Sequence, residues 1–267
     1  FCWVWGFTLI MGAYRKRRKR FWVVRQKYTT LLVQVPRNNE KGPLSSELMF
    51  ASLHGIYKNT KERFEEGSFQ EHISFEIVSM SKYVKFYIHT PVHLKDFVEG
   101  QLYAQYPGVQ VLEAPDYTRL ISAKPEEWGV WGCDFKHTDK DPLPIKTYVE
   151  YGLDKIQEEP EQVDPLANLI EFMGSIGKGE YLWLQFIIRM HKGEKYNNNK
   201  FGSSRTWKDE AKELVEEMRK ATRTPYLDPT TGKEVPGFPN PTKGESEKMA
   251  AIERNVSKQG FDVGARG

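Results

Sequence analysis

Alternating apolar and polar residues mark four predicted strands in the first half of the chain. The segment TTLLVQVP (29–36) is rich in β-branched and aliphatic residues and ends at a proline. In HISFEIVSM (72–80) and YVKFYIHTP (83–91) apolar residues alternate with polar ones, and a two-residue link separates the segments. VQVLEA (109–114) is a further segment of this kind. We predict four β-strands, of which the second and third form a hairpin.

Two segments between these strands have apolar residues at helical spacing. LSSELMFASLHGIY (44–57) follows a proline, and VHLKDFVEGQLYAQYPG (92–108) ends at a Pro-Gly pair. Both segments predict helices. The order strand, helix, strand, strand, helix, strand predicts an α+β fold, specifically a ferredoxin-like split βαβ domain over residues 29–116. Both helices would lie on one face of an antiparallel sheet.

The second half of the chain predicts another α+β unit after a linker. Residues 117–144 are irregular, and their first part is rich in Pro, Gly and Trp, which is typical of a linker. We assign residues 145–267 to the second unit. LPIKTYVEYG (143–152), EYLWLQFIIRM (180–190) and FDVGAR (261–266) predict strands. A helix is predicted to begin at Asp164-Pro165, after the acidic linker QEEPEQVDP.

A charged insertion interrupts this second unit at residues 191–241. It contains a predicted helix over residues 206–222 with a narrow apolar stripe. The stretch 224–241 is rich in Pro, Gly and Thr and predicts a mobile loop. Thr242 and Glu245 then predict a capping box at the start of a last helix, whose buried side holds Met249, Ile252 and Val256.

The chain begins with an apolar segment (1–14) that runs directly into a basic segment (15–28). As a helix, the apolar segment rises about 21 Å, which is less than the roughly 30 Å of a bilayer core. We therefore expect the end of a transmembrane helix, with a sequence that is truncated here and again at the C-terminal strand. The alternatives are a buried helix and a nuclear-localisation or nucleic-acid-binding basic run. The predicted membrane-contact residues are Trp3, Trp5, Arg15, Lys16, Arg17, Arg18, Lys19, Arg20 and Trp22.

The charge distribution separates this basic segment from the rest of the chain. The summed positive charge of the eight basic residues between positions 15 and 27 is larger than the net charge of the whole chain, which is +3. The remainder of the chain is therefore mildly acidic. A domain that coats nucleic acid usually has the opposite balance. With basic residues after the apolar run, we expect anionic lipid of the bacterial inner membrane as a partner and a cytoplasmic globular part.

The sequence contains no recognisable catalytic motif. GSIGKGE (174–180) lacks the first Gly and the Ser or Thr of a phosphate-binding loop and predicts a helix C-terminus. Cys133, His137, Asp139 and Asp141 could bind a metal but lack a recognised ligand spacing, so a solvated turn is the preferred interpretation. The chain has two cysteines, which excludes a disulfide framework. We predict that this chain is not an enzyme and binds neither a cofactor nor a metal.

One face of the predicted sheet could carry a function. If Val84, Phe86 and Ile88 face the helices, the residues that alternate with them lie on the opposite face. Aromatic and basic residues on such a face stack nucleic-acid bases in RNA-recognition modules, although this strand fits their motif badly. We therefore prefer an interface with another domain or protomer and keep single-stranded nucleic-acid binding as the alternative. The candidate residues are Tyr83, Lys85, Tyr87 and His89.

Several segments of the sequence resemble a known protein family. They include LLVQVPRNNEKGPLSSELMFASLHGIY, HISFEIVSMSKYVKFYIHTP, QLYAQYPGVQVLEAPDYT, PIKTYVEYGLDK, DPLANLIEFMGSIGKGEYLWLQFIIRMH and TKGESEKMAAIERNVSKQGFDVGARG. Together with the basic segment, they resemble the region that precedes the motor in bacterial membrane-anchored ATPases of the FtsK–HerA superfamily. Within that superfamily, the resemblance is to the type IV secretion and conjugative DNA-transfer group.

This resemblance implies a non-catalytic assembly or positioning region of a motor that translocates DNA or protein. ATP hydrolysis would then belong to a downstream domain, because Walker A and Walker B segments are absent from this sequence. The implied partners are further copies of the chain, which associate through that motor, and other components of the secretion system. A stand-alone membrane scaffold is the other hypothesis that the sequence leaves open.

Overall fold

The chain folds into two compact units in a computed structural model. Unit 1 comprises residues 1–136, 148–190 and 261–267, and unit 2 comprises residues 137–147 and 191–260. The structure describes residues 2–36, 41–59, 62, 69–121, 124, 126–154, 165–191, 196–197, 204–227, 230, 232 and 234–267.

Within the described residues, unit 1 combines four α-helices with one large sheet. Its helices are α1 (Cys2–Arg25), α2 (Pro43–Leu53), α3 (Lys95–Gln105) and α4 (Ala167–Ser175). Its strands are β1 (Tyr28–Gln34), β2 (His72–Met80), β3 (Tyr83–Pro91), β4 (Gln110–Ala114), β5 (Asp134–Phe135), β6 (Tyr181–His191) and β11 (Gly260–Arg266), the last following the elements of unit 2 in the chain. The predicted α+β class is confirmed.

The seven strands lie in the order β4-β1-β3-β2-β6-β11-β5. The pairs β1–β4, β1–β3, β2–β3 and β2–β6 are all antiparallel, and β2 and β6 are paired along nine residues. The predicted β2–β3 hairpin is confirmed. At its turn Ser81 and Lys82 both have positive φ, which suits a two-residue connection between twisted strands.

Helices α2 and α3 cover the same face of the sheet. Met49 and Leu53 of α2 and Val98 and Leu102 of α3 belong to one buried cluster. The strands contribute side chains that point to this face and alternate along each strand with side chains on the opposite face. They are Leu31, Val33, Ile73, Ile88, Ile188 and Met190. Because deletion of such a side chain typically costs about 2–5 kcal/mol, this cluster is the main determinant of the unit's stability.

The structure groups the second half of the chain differently from the prediction. Strands β6 and β11 do not form a separate sheet. They belong to the same sheet as β1–β4, next to β2. The pairing of β6 with β2 places this nearly continuous apolar strand inside the sheet, where Ile188, Met190 and His191 are buried and the earlier residues are mostly half-buried. The predicted strand over residues 143–152 is wrong, because this segment forms turns and irregular structure. The predicted acidic linker lies almost wholly outside the described residues.

The larger part of unit 2, residues 191–260, is inserted in the chain between β6 and β11. Its elements are β7 (Tyr196–Asn197), β8 (Ser204–Arg205), α5 (Trp207–Ala221), β9 (Arg223–Leu227), β10 (Glu234–Pro239) and α6 (Lys243–Ser257). The inserted segment therefore continues to residue 260 and is longer than the predicted 191–241. The predicted mobile loop at 224–241 is also wrong, because β9 and β10 pair as an antiparallel hairpin there.

Helices α5 and α6 begin with capping boxes. Thr206 and Asp209 form the one at α5, and Thr242 and Glu245 form the predicted one at α6. Ala211 and Val215 of α5 pack with Met249 and Ile252 of α6 in a separate buried cluster. The two helices therefore stabilise each other through facing apolar stripes.

Candidate membrane-docking segment and open sheet face

Helix α1 carries both the apolar and the basic segment of the N-terminus. It has 24 residues and a length of about 36 Å, and it continues through the boundary between the two segments without a break. Most of its described apolar side chains are exposed, including Phe7 (65%), Ile10 (69%) and Val24 (83%). Exposed apolar side chains on a charged helix indicate a surface that another phase or molecule covers.

The basic residues of α1 surround the helix axis. Residues 16–20 are consecutive, and successive residues are about 100° apart in a helix, so these side chains project in all directions. Lys16, Arg17, Lys19 and Arg20 are exposed, whereas Arg18 is half-buried. The apolar and charged parts therefore follow one another along the axis. A helix that lies flat on a membrane would instead have them on opposite sides.

The predicted membrane-contact residues all lie within α1. The structure does not describe the side chains of Trp3, Trp5 and Arg15. Trp22 is half-buried, and Lys58 packs over its ring. In the described part of the chain, no helix is long and apolar enough to cross a membrane. The predicted partial transmembrane helix over residues 1–14 therefore has no support.

Two cation–π contacts join α1 to the rest of unit 1. The Nζ atom of Lys19 lies 4.0 Å from the ring centroid of Phe69, and that of Lys58 lies 4.5 Å from the ring of Trp22. Lys19 and Trp22 are three residues apart and thus lie on the same side of the helix. Sequence reasoning missed Phe69 and Lys58, because nothing in their local pattern connects them with α1.

The face of the sheet opposite α2 and α3, which we call the open face, does not present the four predicted interface residues equally. Tyr83 is 73% exposed and Lys85 is also exposed. His89 is half-buried. Tyr87 is only 5% exposed, because its ring packs 5.1 Å from that of Tyr117, which follows β4. Tyr83 and Lys85 therefore form the accessible part of this set.

A hydrogen-bond network lies beside Tyr87 on the open face. The hydroxyl of Tyr117 donates to Glu76 at 2.7 Å, and the Gln185 amide donates to the Tyr117 oxygen at 2.8 Å and to Glu76 at 3.3 Å. Burial raises the pKa of Tyr117, and the Glu76 carboxylate raises it further. A neutral Tyr117 hydroxyl therefore satisfies the buried carboxylate and fixes the segment after β4 on the sheet.

Three stacked rings occupy the same face at the start of β1. The ring of Tyr28 lies 5.0 Å from that of His72 and 5.1 Å from that of His89. His89 also forms a hydrogen bond with Thr30 at 3.0 Å. Burial raises the pKa of Tyr28 to about 12, with Glu71 adding to the effect. Burial lowers the pKa of His72, and His89 lowers it further while Glu71 opposes. The surroundings of the stack thus favour the neutral forms of Tyr28 and His72.

The other candidate residues for chemistry do not converge on a site. His137 and Asp141 approach each other at 3.9 Å on the surface of unit 2. Within the described residues, no group of three side chains has the arrangement of a metal site. At GSIGKGE, the backbone N–H of Gly177 donates to Glu180, next to the end of α4. This agrees with the predicted helix C-terminus.

The geometry thus defines an α+β protein with an exposed apolar-then-basic helix and a partly covered open face. No protein-family model, curated protein or solved structure matches the chain. The family resemblance of the sequence segments therefore stays a prediction.

Proposed function

We propose that this chain is a non-catalytic, membrane-docked assembly region of a type IV secretion-like translocation ATPase. In this proposal α1 contacts anionic lipid of the bacterial inner membrane, and the remainder of the chain lies on the cytoplasmic side. The strand order β4-β1-β3-β2, with two helices on one face, supports a ferredoxin-like domain that β6 and β11 extend. Such a fold leaves the function to its surfaces.

The serial arrangement of α1 is the observation that carries this proposal. Exposed apolar residues such as Phe7, Leu9 and Ile10 precede the ring of basic side chains. A helix of this kind matches a membrane surface when its apolar end enters the acyl region and its basic part stays among the headgroups. Each Lys or Arg near an anionic surface contributes about 1 kcal/mol, and each buried large apolar side chain about 1.5–3 kcal/mol.

The cation–π contacts supply the positioning part of the proposal. Lys19 with Phe69, and Lys58 with Trp22, join α1 to the rest of unit 1 at the C-terminal end of the basic ring. Membrane binding by α1 would therefore orient the sheet as well as tether it, and a random-coil tether would not. A fixed orientation is what assembly beside a membrane-bound motor requires.

The open face supplies a candidate contact with neighbouring subunits. Tyr83 and Lys85 are exposed beside the β2–β3 turn and remain available to another protomer or secretion component. The burial of Tyr87 weighs against the nucleic-acid alternative, because only one of the two strand tyrosines is accessible for base stacking. The stand-alone scaffold differs from the preferred proposal only in lacking a motor.

Vesicle binding tests the membrane part of the proposal. We expect the chain to co-sediment with vesicles containing about one third phosphatidylglycerol and to bind phosphatidylcholine vesicles far more weakly. Replacing Lys16, Arg17, Lys19 and Arg20 with Gln removes about 4 kcal/mol of attraction, which is roughly a thousandfold in partitioning. The measurement is the bound fraction as a function of lipid concentration, at low and high salt.

The matched control removes the same charge elsewhere. Lys140, Lys178, Lys243 and Lys248 are exposed and lie outside α1, and their Gln variant should bind vesicles within severalfold of the wild type. Equal losses in both variants, or equal binding to neutral and anionic vesicles, would contradict the proposal. The motor part is tested separately, by searching the reading frame and the neighbouring genes for G-x-x-x-x-G-K-[ST].

A further inference from the structure

The stack of Tyr28, His72 and His89 lies where α1 joins the sheet. Two residues separate the end of α1 from Tyr28, which is the first residue of β1. The second of them, Lys27, is tied to the sheet, because its carbonyl accepts from the backbone N–H of the residue after β3 at 2.9 Å. A change in the stack therefore reaches α1 through a very short connection.

The hydrogen bond between Tyr28 and His72 suits an uncharged imidazole. The Tyr28 hydroxyl lies 3.3 Å from Nδ1 of His72. Burial raises the pKa of Tyr28 to about 12, so the hydroxyl stays protonated and donates to Nδ1 of the neutral tautomer that carries its proton on Nε2. A doubly protonated imidazole has no acceptor nitrogen. Protonation of His72 therefore removes this hydrogen bond.

The surroundings of His72 also oppose a positive charge. The side chain is half-buried, and burial is the main cause that lowers its pKa; His89 and Arg266 lower it further, and Glu71 opposes them. Arg189 stands opposite His72 in the register of β2 and β6, where it pairs with a carboxylate of β11. Strands β3, β6 and β11 thus each place a basic side chain on the side of His72.

His89 forms the other histidine ring of the stack. Its Nδ1 lies 3.0 Å from the hydroxyl of Thr30, a side chain that is 3% exposed. The acidic group that acts on His89 from the segment after β4 is Asp116, whose carboxylate already accepts from the N–H of Thr118 at 3.0 Å. His89 therefore offers His72 a ring contact but no compensating negative charge.

Glu71 connects His72 with a contact that holds α1. Its side chain is 3% exposed and pairs with Lys58 at 3.3 Å and with His93 at 3.1 Å. Lys58 in turn lies 4.5 Å from the ring of Trp22 in α1. Because Glu71 directly precedes His72 in the chain, a charge on His72 competes with Lys58 for this carboxylate. The same protonation thus weakens a second contact of α1.

We propose that the stack is an acid-sensitive latch, which holds α1 in a fixed orientation while His72 is neutral and releases it when His72 is protonated. Since the pKa of His72 is lowered in the folded state, the latch contributes fully above about pH 6.5, the ordinary histidine value, and is lost as pH falls below it. The contact of Lys19 with Phe69 remains, but one cation–π contact is weak. The latch does not depend on membrane docking, because all its contacts lie within unit 1.

Distances between spin labels test the latch in solution on the full chain. One label pair, K16C with K85C, reports on α1 relative to the sheet, and the other, K85C with K178C, reports on the sheet alone; all three positions are exposed. The native Cys2 and Cys133 are replaced by Ser, and unlabelled chain is added to suppress distances between copies. By pulsed electron paramagnetic resonance, we expect the K16C–K85C distribution to become about twofold broader between about pH 7.5 and about pH 5, whereas the K85C–K178C distribution stays unchanged.

Uncharged replacements of His72 separate the latch from a general effect of acid. H72F keeps an aromatic ring in the stack, and H72N keeps a hydrogen-bond acceptor for Tyr28, so each variant retains a different contact of the imidazole. Both should keep the narrow K16C–K85C distribution at about pH 5, because neither side chain titrates there. The matched control is H137F, which removes an exposed histidine of unit 2 and should broaden as the wild type does.

Three results would overturn the proposal. An unchanged K16C–K85C distribution in the wild type would show that the stack does not respond to acid. Broadening in H72F and H72N that equals the wild-type response would assign it to another group. Broadening of the K85C–K178C pair would show that the sheet itself unfolds, so that α1 is not released by a latch.

Discussion

Helix α1 and the helix pair α5–α6 are both rich in charge but distribute it in different directions. In α1 the apolar residues come first and the basic residues follow, and the helix contains no acidic residue. In α5 and α6, acidic and basic residues occupy one side and an apolar stripe the other, with acidic residues in the first turn and basic residues in the last. Charge changes along the axis in the first case and around it in the second.

This difference shows which surroundings each helix needs. A stripe is buried by another stripe, so α5 and α6 stabilise each other through Val215, Met249 and Ile252. An apolar end cannot be buried by a neighbouring stripe alone, because its side chains project on all sides. Large exposed fractions at Phe7 and Ile10 show that the rest of unit 1 does not cover these side chains. A membrane–water interface therefore matches the apolar end of α1 better than a groove on a protein surface does.

The largest expected effect comes from one substitution made in each region. Ile252 is fully buried between α5 and α6, and I252A should lower the free energy of unfolding of unit 2 by about 2–5 kcal/mol, because it leaves a cavity. Ile10 is 69% exposed in α1, and I10A should change stability by less than about 0.5 kcal/mol. Urea denaturation followed by circular dichroism measures both changes.

Vesicle binding should show the reverse order for the same two variants. I10A removes apolar surface that the proposal places in lipid, so anionic-vesicle binding should weaken severalfold, whereas I252A should leave it nearly unchanged. If I10A destabilised the protein as much as I252A does, α1 would be an ordinary buried helix and the comparison would fail.

Local patterns predicted the elements that depend on their own sequence. The strands at 72–80 and 83–91 begin and end at the predicted residues, because period-two alternation and a short polar turn determine a hairpin locally. The capping box of Thr242 and Glu245 was predictable for the same reason, since all its hydrogen bonds lie within four residues.

Contacts between distant segments were not predictable in this way. The apolar strand β6 could pair with any sheet, and its register beside β2 depends on residues about a hundred positions away. The covering of Tyr87 by Tyr117 and the contacts of Lys19 and Lys58 with aromatic rings are non-local too. At 224–241, proline and glycine content suggested a loop, yet prolines are tolerated in the isolated two-stranded β9–β10 hairpin.

A smaller effect is expected at the N-terminus of α5, where the cap orients the charged first turn. The Thr206 hydroxyl accepts from the Asp209 N–H at 3.2 Å and donates to the Asp209 carboxylate at 2.7 Å. T206A should therefore cost about 1 kcal/mol of unfolding free energy, and T206S should recover most of it. Equal urea midpoints for wild type and T206A would show that the cap does not contribute, and that packing alone maintains α5.

The smallest expected effect is a pH dependence that arises in α6 and has no counterpart in α1. The pKa of Glu245 lies below its usual value, because its carboxylate accepts from the backbone N–H and then from the hydroxyl of Thr242. A lowered carboxyl pKa stabilises the folded state above the unfolded-state pKa, and this stabilisation is lost as pH falls through the folded-state pKa. Helix α1 has no carboxylate to titrate in that range.

Carbon-detected NMR titration should find the Glu245 pKa depressed in the wild type and closer to the usual value in T242A. The same pKa in both proteins would mean that the capping box does not set the charge of this turn.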